Sequence, residues 1–135
     1  MKNDERLEYV KFRIGSAYET HKAATLLFEN GFWNSCVNRL YYSVFYAVNA
    51  LLVLNEIQPK THSTVKSQFS QHFVKTGVFE SHFGRLLNTL YDWRQRGDYE
   101  TLTTYDKKSV EPLLESCLEM IQQIEVEINK YLKSN

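Results

Sequence analysis

The segment from residue 32 to residue 55 constrains the fold most, because apolar and aromatic side chains cover nearly every side of a helix there. Three stripes at helical spacing run along it. They are Val37, Leu40, Val44, Ala47, Leu51 and Leu54; Tyr41, Phe45, Val48 and Leu52; and Arg39, Tyr42, Tyr46, Asn49 and Val53. A helix that is apolar all round is buried all round. We therefore predict that this segment is the central helix of a bundle, and that it can also face a second subunit.

The rest of the chain divides into further amphipathic helices. Apolar residues recur at three- and four-residue steps over about residues 4–28, 63–75, 79–96 and 107–132. The breaks between segments fall at Asn30-Gly31, Gln58-Pro59, Gly77 and Gly97. Gly97 is expected at the left-handed position just beyond a helix, before a polar loop over 98–106. No strand pattern is found. We predict an all-α fold, an antiparallel up-and-down bundle of four main helices plus a shorter fifth, as a single domain over 1–135.

Size and charge exclude several classes of protein. A chain of 135 residues is long enough for one domain with its own core. The 16 basic and 16 acidic residues balance, which argues against a large basic face for bulk nucleic-acid binding but allows a local basic cluster. The N-terminal residues are charged, and the longest apolar run, about residues 44–54, is shorter than the ~20 residues that a bilayer requires. We expect a cytoplasmic protein without membrane contact.

The cysteines and histidines give no metal-site pattern. Cys36 and Cys117 match neither zinc-ligand nor CxxC redox spacing, so we expect reduced, buried thiols. No two of the four histidines have the i, i+4 spacing of a helical metal site. His21 is predicted to be a core histidine with a satisfied ring. His62 stands at a helix start, where a capping or loop role is natural. We predict no bound metal and no cofactor.

Arg39 is the first candidate functional residue. It lies inside the most apolar helix, on the same stripe as Tyr42. A charge there requires a partner, because an unpaired buried ion costs several kcal/mol. One interpretation is a structural ion pair with Asp92 or Asp98 that fixes the helix register. The other is an anion-binding arginine in a polar cleft, with tyrosine hydroxyls as additional donors.

The second candidate region is residues 93–99. Arg94 falls on the core-facing stripe of its helix, and Asp98 follows one turn later. One interpretation is simple helix termination, since cations favour the negative end of the helix dipole. The other is a small cationic site, with an acid and a phenol beside it, that suits phosphate or RNA. In the second case Arg39, Arg94 and Asp98 converge on one polar hollow.

Four motifs in order resemble those of the HEPN superfamily, and in particular of its small stand-alone prokaryotic members. They are NRLYYSVFYA at 38–47, THS at 61–63, FVKTG at 73–77 and RQRGDY at 94–99. The resemblance spans about residues 7–132. It implies an up-and-down helical bundle that forms a homodimer, with the clefts near the dimer interface.

The resemblance also implies functions. Many HEPN domains are metal-independent ribonucleases or toxins, in which an arginine is followed after four to six residues by a histidine. Arg94 matches that arginine by position, and Asp98 followed by Tyr99 stands where the histidine is expected. Other members pair with a minimal nucleotidyltransferase in toxin–antitoxin modules, some of them with a tyrosine modified by AMP, to which Tyr99 is the nearest match.

Three functional hypotheses follow. The first is a nucleotide- or RNA-binding, or partner, component of a toxin–antitoxin or defence-type module that includes a minimal nucleotidyltransferase. The second is a metal-independent ribonuclease in which Arg94 binds phosphate and Asp98 or a distant histidine handles the proton. The third is a structural interaction protein whose Arg39–Asp98 pair only fixes the bundle. Candidate catalytic residues are Arg94 and Asp98, and candidate nucleotide- or RNA-binding residues are Arg39, Tyr42, Arg94, Arg96 and Tyr99.

Overall fold

Five α-helices make up most of the chain in the computed structural model, which describes residues 2–58, 61–100 and 102–134. The helices are α1 (Asn3–Glu29), α2 (Trp33–Leu54), α3 (His62–Phe69), α4 (Ser81–Tyr99) and α5 (Lys107–Ser134). A π-helical turn, Ser70–Val74, continues α3. The described residues contain no strand. The prediction of an all-α fold with one shorter helix is confirmed.

Contacts between helix ends give the up-and-down order. Arg6 near the start of α1 pairs with Glu56 just beyond α2, at 2.9 Å, whereas Phe28 near the end of α1 packs edge-on against Trp33 at the start of α2. These two helices are therefore antiparallel. Two contacts within each of two further helix pairs show that α2 and α4, and α1 and α5, are also antiparallel. These contacts are Tyr41 with Tyr91 and Asn38 with Asp98 between α2 and α4, and Tyr18 with Glu125 and His21 with Leu114 between α1 and α5.

The apolar segment forms the centre of the bundle, as predicted. α2 packs against α1, α3, α4 and α5. Its fully buried leucines each contribute about 1.5–3 kcal/mol of burial free energy. By length and composition alone α2 could cross a membrane, but 67% of its most apolar stretch is buried inside the bundle. That burial is typical of the core helix of a soluble protein. Cys36 and Cys117 are free and buried, also as predicted.

The helix ends position the site. Gly31 and Gly77 have φ of +79° and +84°, so they end α1 and the π-helical turn as left-handed residues. Thr61 caps α3 through a capping box with Thr64, which fixes the first turn of that helix. Pro59, part of the predicted break before α3, lies outside the described residues.

The prediction that Gly97 ends α4 is wrong. The helix runs through Gly97 to Tyr99. A Cβ on Gly97 would lie 3.2 Å from the Tyr105 ring, so the missing side chain makes room for that ring. Tyr105 in turn stacks on Trp93 at 4.8 Å and donates a hydrogen bond to its carbonyl. Because α4 continues past Gly97, Asp98 lies on the same face of the helix as Arg94 and one turn beyond it.

Candidate functional site

Arg94 of α4 is a buried cation with few partners. It is 7% exposed. Its guanidinium carbon lies 5.0 Å from the ring centroid of Tyr41 and 5.5 Å from that of Tyr42. Nη1 donates a long hydrogen bond of 3.4 Å to the Tyr42 hydroxyl and lies 3.7 Å from Asp98 Oδ2. The Nε N–H is buried and has no hydrogen-bond partner in the described residues. Part of the guanidinium's donor capacity is therefore unused.

Arg39 of α2 is not paired with a carboxylate in the described part of the chain, so the expected Arg39–Asp98 or Arg39–Asp92 ion pair is wrong. Arg39 Nε and Nη2 donate instead to Asn38 Oδ1, at 3.0 and 2.8 Å. Asn38 Nδ2 donates to Asp98 Oδ2 at 2.8 Å. The amide thus links the guanidinium to the carboxylate, because a guanidinium only donates and must face the amide oxygen.

The half-buried Tyr42 ring joins the two arginines. Arg39 lies 5.0 Å and Arg94 5.5 Å from its centroid. Beside Arg39 a polar cleft of about 580 Å³ opens to solvent, within the size range of small-ligand sites. Its lining includes Asn38, Arg39 and Asp98 but not Arg94, so the expected convergence of both arginines and the acid on one hollow is found only in part. Two cations share one aromatic ring here, and a single carboxylate opposes them.

His62 belongs to this cluster, although the sequence predicted only a capping or loop role. The capped start of α3 brings the imidazole against α2, where it stacks on Phe45 with centroids 4.5 Å apart and planes 7° apart. Its edge meets Tyr42, and Nδ1 shares a 2.8 Å hydrogen bond with the Tyr41 hydroxyl. Nε2 makes no hydrogen bond within the described residues. The THS motif at 61–63 marks the helix start but not the direction of the ring, because that direction depends on a contact across 21 residues.

Burial and charge set the protonation states of this pair. Desolvation, and then the positive charge of Arg94, lower the pKa of His62 below its ordinary value. Desolvation raises the pKa of the Tyr41 phenol, and the opposing effect of Arg94 is smaller. At neutral pH the imidazole is therefore neutral and the phenol keeps its proton. The cluster holds a basic nitrogen next to a fixed positive charge.

Two other candidate residues lie outside the cluster. Arg96 is exposed, and residues two apart on a helix point about 200° apart, so it does not share the face of Arg94. Its charge acts instead on the Tyr105 phenol. Tyr99 is 73% exposed at the end of α4. The structure brings together Arg39, Tyr42, Arg94 and Asp98, and adds Asn38, Tyr41 and His62 to them.

The cluster suits an anion better than a cation. Its carboxylate is already engaged by Asn38 and Arg94. The described residues contain no group of three histidine, cysteine or acidic side chains that could hold a metal ion. A buried N–H without a partner, next to a second guanidinium, can instead donate to a phosphate or carboxylate oxygen in a charge-assisted hydrogen bond.

Comparisons with known proteins agree with this fold. Residues 10–127 match the family model described as HEPN domain. A protein of Methanocaldococcus jannaschii named "Putative toxin MJ0142" is 37% identical over 101 residues, 75% of this chain and 69% of that protein. A second protein of that organism, "Putative toxin MJ0605", is 35% identical over 99 residues, which are 73% of this chain and 74% of that protein.

A third relative covers more of the chain. The "UPF0332 protein" of Thermotoga maritima is 31% identical over 122 residues, 90% of this chain and 92% of that protein. The helical bundle, the family match and these similarities support one conclusion. The chain belongs to the HEPN family.

Proposed function

We propose that this protein binds the phosphate groups of RNA or of a nucleotide at the cluster around Arg94, as the toxin-like component of a toxin–antitoxin or defence-type module. The observation that carries the proposal is the buried Arg94 Nε, which has no hydrogen-bond partner in the described residues. Two of the relatives are named as toxins. A phosphate oxygen would satisfy this donor, and Arg39 lies against the same tyrosine ring.

The energetics favour a binding role over a purely structural one. A structural ion pair offsets the desolvation of a buried guanidinium only when its geometry is close and its donors are satisfied. Here the Arg94–Asp98 separation is 3.7 Å, and the Asp98 side chain is 27% exposed. A pair this long, with one partner in contact with water, contributes about 0–1 kcal/mol, less than the burial of the guanidinium costs. The site therefore carries an uncompensated cost that an incoming anion would reduce.

Binding is tested with a short fluorescent single-stranded RNA whose 2′ positions are methylated, so that it cannot be cleaved. Fluorescence anisotropy gives the dissociation constant at low salt. We expect Arg94→Met to weaken binding at least ~10-fold, the lower range for a lost charge-assisted hydrogen bond. Arg39→Ala is expected to weaken it less. Arg85→Met, an exposed arginine on the same helix, is the matched control and should bind like the unaltered protein.

Parallel titrations with AMP and with inorganic sulfate show whether the site prefers a nucleotide or a polynucleotide as its phosphate ligand. Tight binding of AMP alone identifies a nucleotide site, whereas RNA binding that weakens steeply with salt identifies a polynucleotide site. No binding of any of the three probes would overturn the proposal. Equal binding by the Arg94→Met and Arg85→Met proteins would overturn the location of the site.

A second candidate function is metal-independent cleavage of RNA, with Arg94 as the phosphate-binding residue. One observation favours it: a neutral imidazole, His62, contacts the two tyrosine rings over which the guanidinium lies. Arginine can stabilise the charge on phosphate oxygens, and an imidazole can transfer the proton. Incubation of RNA with the protein in the presence of a chelator tests this function.

The partners expected from the family resemblance are further proposals. We propose a homodimer, supported by aromatic side chains that stay accessible in the single chain: Phe45 and Tyr46 on α2, and Phe12 on α1 with 64% exposure. Light scattering tests it, and a monomer at micromolar concentration would contradict it.

We also propose a minimal nucleotidyltransferase, encoded by a neighbouring gene, as a partner in the cytoplasm. The two proteins should co-elute when they are coexpressed. The absence of such a gene from the neighbourhood, and of the protein from the eluate, would contradict this partner.

A further inference from the structure

We propose that His62, delivered from α3, is the proton-transfer residue of the site, and that its Nε2 faces the phosphodiester of an RNA strand held by Arg94. The inference rests on the ribonuclease candidate given above. It assigns the role to a residue 32 positions before Arg94 rather than to Asp98, which stands where the sequence comparison expects a histidine.

The first support is the orientation of the imidazole. The parallel stack on Phe45, the edge contact with Tyr42 and the bond from Nδ1 to Tyr41 fix the ring on three sides. Only Nε2 is left without a hydrogen bond in the described residues. A phenol can both donate and accept. The Tyr41 hydroxyl can therefore hold Nδ1 while Nε2 gains or loses a proton.

The second support is the shared surroundings of His62 and Arg94. The guanidinium and the imidazole both contact the rings of Tyr41 and Tyr42. Arg94 on α4 is the charged group that acts on His62. Lys66 follows one turn along α3, and its ammonium lies over the Tyr91 ring. No carboxylate forms an ion pair with the imidazole in the described residues.

The third support is that Asp98 is already engaged. Its Oδ2 accepts from Asn38 and lies near Arg94, so the carboxylate is held in this network and opposes an incoming phosphate. A neutral imidazole has no such repulsion. Next to a guanidinium it accepts a proton only weakly, and it gives that proton up readily.

These properties suit transesterification of RNA, and the side chains of this protein supply every group that the reaction needs. Nε2 takes the proton of the 2′-hydroxyl as that oxygen forms its bond to phosphorus. The bond from phosphorus to the 5′ oxygen then breaks with its electron pair, and the same proton passes from Nε2 to the leaving 5′ oxygen. The products are a 2′,3′-cyclic phosphate and a 5′-hydroxyl, and no proton is gained or lost overall.

The pKa of His62 provides a test that does not require cleavage. NMR titration gives this pKa in saturating sulfate, a dianion that does not itself titrate near neutral pH, and in chloride of equal ionic strength. We expect bound sulfate to raise the pKa of His62 by about one unit, because an adjacent anion stabilises the imidazolium. The sulfate-induced rise should disappear in Arg94→Met. No rise would show that the imidazole does not face the bound anion, which would refute the proposal.

The kinetic test compares two histidine variants on a cleavable RNA. We expect His62→Asn to lose at least ~100-fold in cleavage rate and to bind the 2′-methylated RNA like the unaltered protein. His72→Asn, an exposed histidine in the π-helical turn, should keep full activity. The value of kcat/KM, which reports the free enzyme, should rise with pH through a value below the ordinary histidine pKa.

The outcomes separate the two proposals. If sulfate and RNA bind but the pKa of His62 does not move, or RNA is not cleaved, the role of His62 is refuted and phosphate binding stands. If the His62→Asn protein cleaves RNA normally, the role of His62 is likewise refuted. If no anion binds, phosphate binding itself is refuted, and this inference falls with it.

Discussion

Replacing Arg94 by methionine should make the protein more stable while weakening phosphate binding. Methionine keeps an unbranched, flexible stem that reaches about the position of Nε, and it carries no charge. The contacts that would be lost are weak. The ion pair with Asp98 and each of the two ring contacts contribute about 0.5–1 kcal/mol, and the 3.4 Å hydrogen bond to Tyr42 contributes about 0.5 kcal/mol.

The gain comes from a guanidinium that no longer has to be buried. Arg94 is 7% exposed, and its Nε has no partner in the described residues. Burial of such an ion costs several kcal/mol, and removing one partner of an ion pair is tolerated only where the other charge is not left buried and unpaired. Asp98 keeps its hydrogen bond from Asn38 and its partial contact with water. We therefore expect the free energy of unfolding to rise by about 1–2 kcal/mol.

Urea unfolding at neutral pH without phosphate, followed by circular dichroism, measures this change. Arg85→Met is the matched control, because Arg85 is exposed on the same helix and should shift the unfolding free energy by less than ~0.5 kcal/mol. A loss of more than ~2 kcal/mol in Arg94→Met would refute the reasoning. It would show that the guanidinium of Arg94 is a structural partner of Asp98.

Three further predictions concern other parts of the fold. Asp98→Asn should tighten sulfate binding ~3–10-fold by calorimetry, because it removes the anion that competes for Arg94; weaker binding would contradict that competition. Thr61→Ala should lower the free energy of unfolding by about 1 kcal/mol through loss of the capping box, and an unchanged urea midpoint would contradict the cap. Burial raises the pKa of Cys36 to about 11 and also raises that of Cys117, so neither thiol should react with a thiol reagent at neutral pH until urea unfolds the chain; rapid labelling of the folded protein would contradict their burial.

The fold could be predicted from the sequence because one helix carries most of the information. A segment that is apolar on every side must be central, and the amphipathic segments around it then have only one face to bury. The same logic places Arg94 on a core-facing stripe, and the structure finds it buried. The spacing of residues along the sequence is therefore enough to predict which of them share one face of a helix.

Contacts between side chains of different helices could not be predicted from the sequence in the same way. The sequence suggested a direct Arg39–Asp98 pair, whereas the Asn38 amide lies between the two groups. His62 was assigned to a helix start, which is correct, but the direction of its ring depends on how α3 packs on α2. Gly97 was interpreted as a helix end, because the same residue type serves both a left-handed turn and close packing against a ring.

The central claim is that the unpartnered donor of Arg94 is an anion-binding group. The most direct measurement is the NMR signal of the Arg94 Nε–H during a sulfate titration at constant ionic strength. We predict that this signal moves downfield and saturates together with the binding isotherm, as expected for a new charge-assisted hydrogen bond. A signal that stays in place at sulfate saturation would contradict the account.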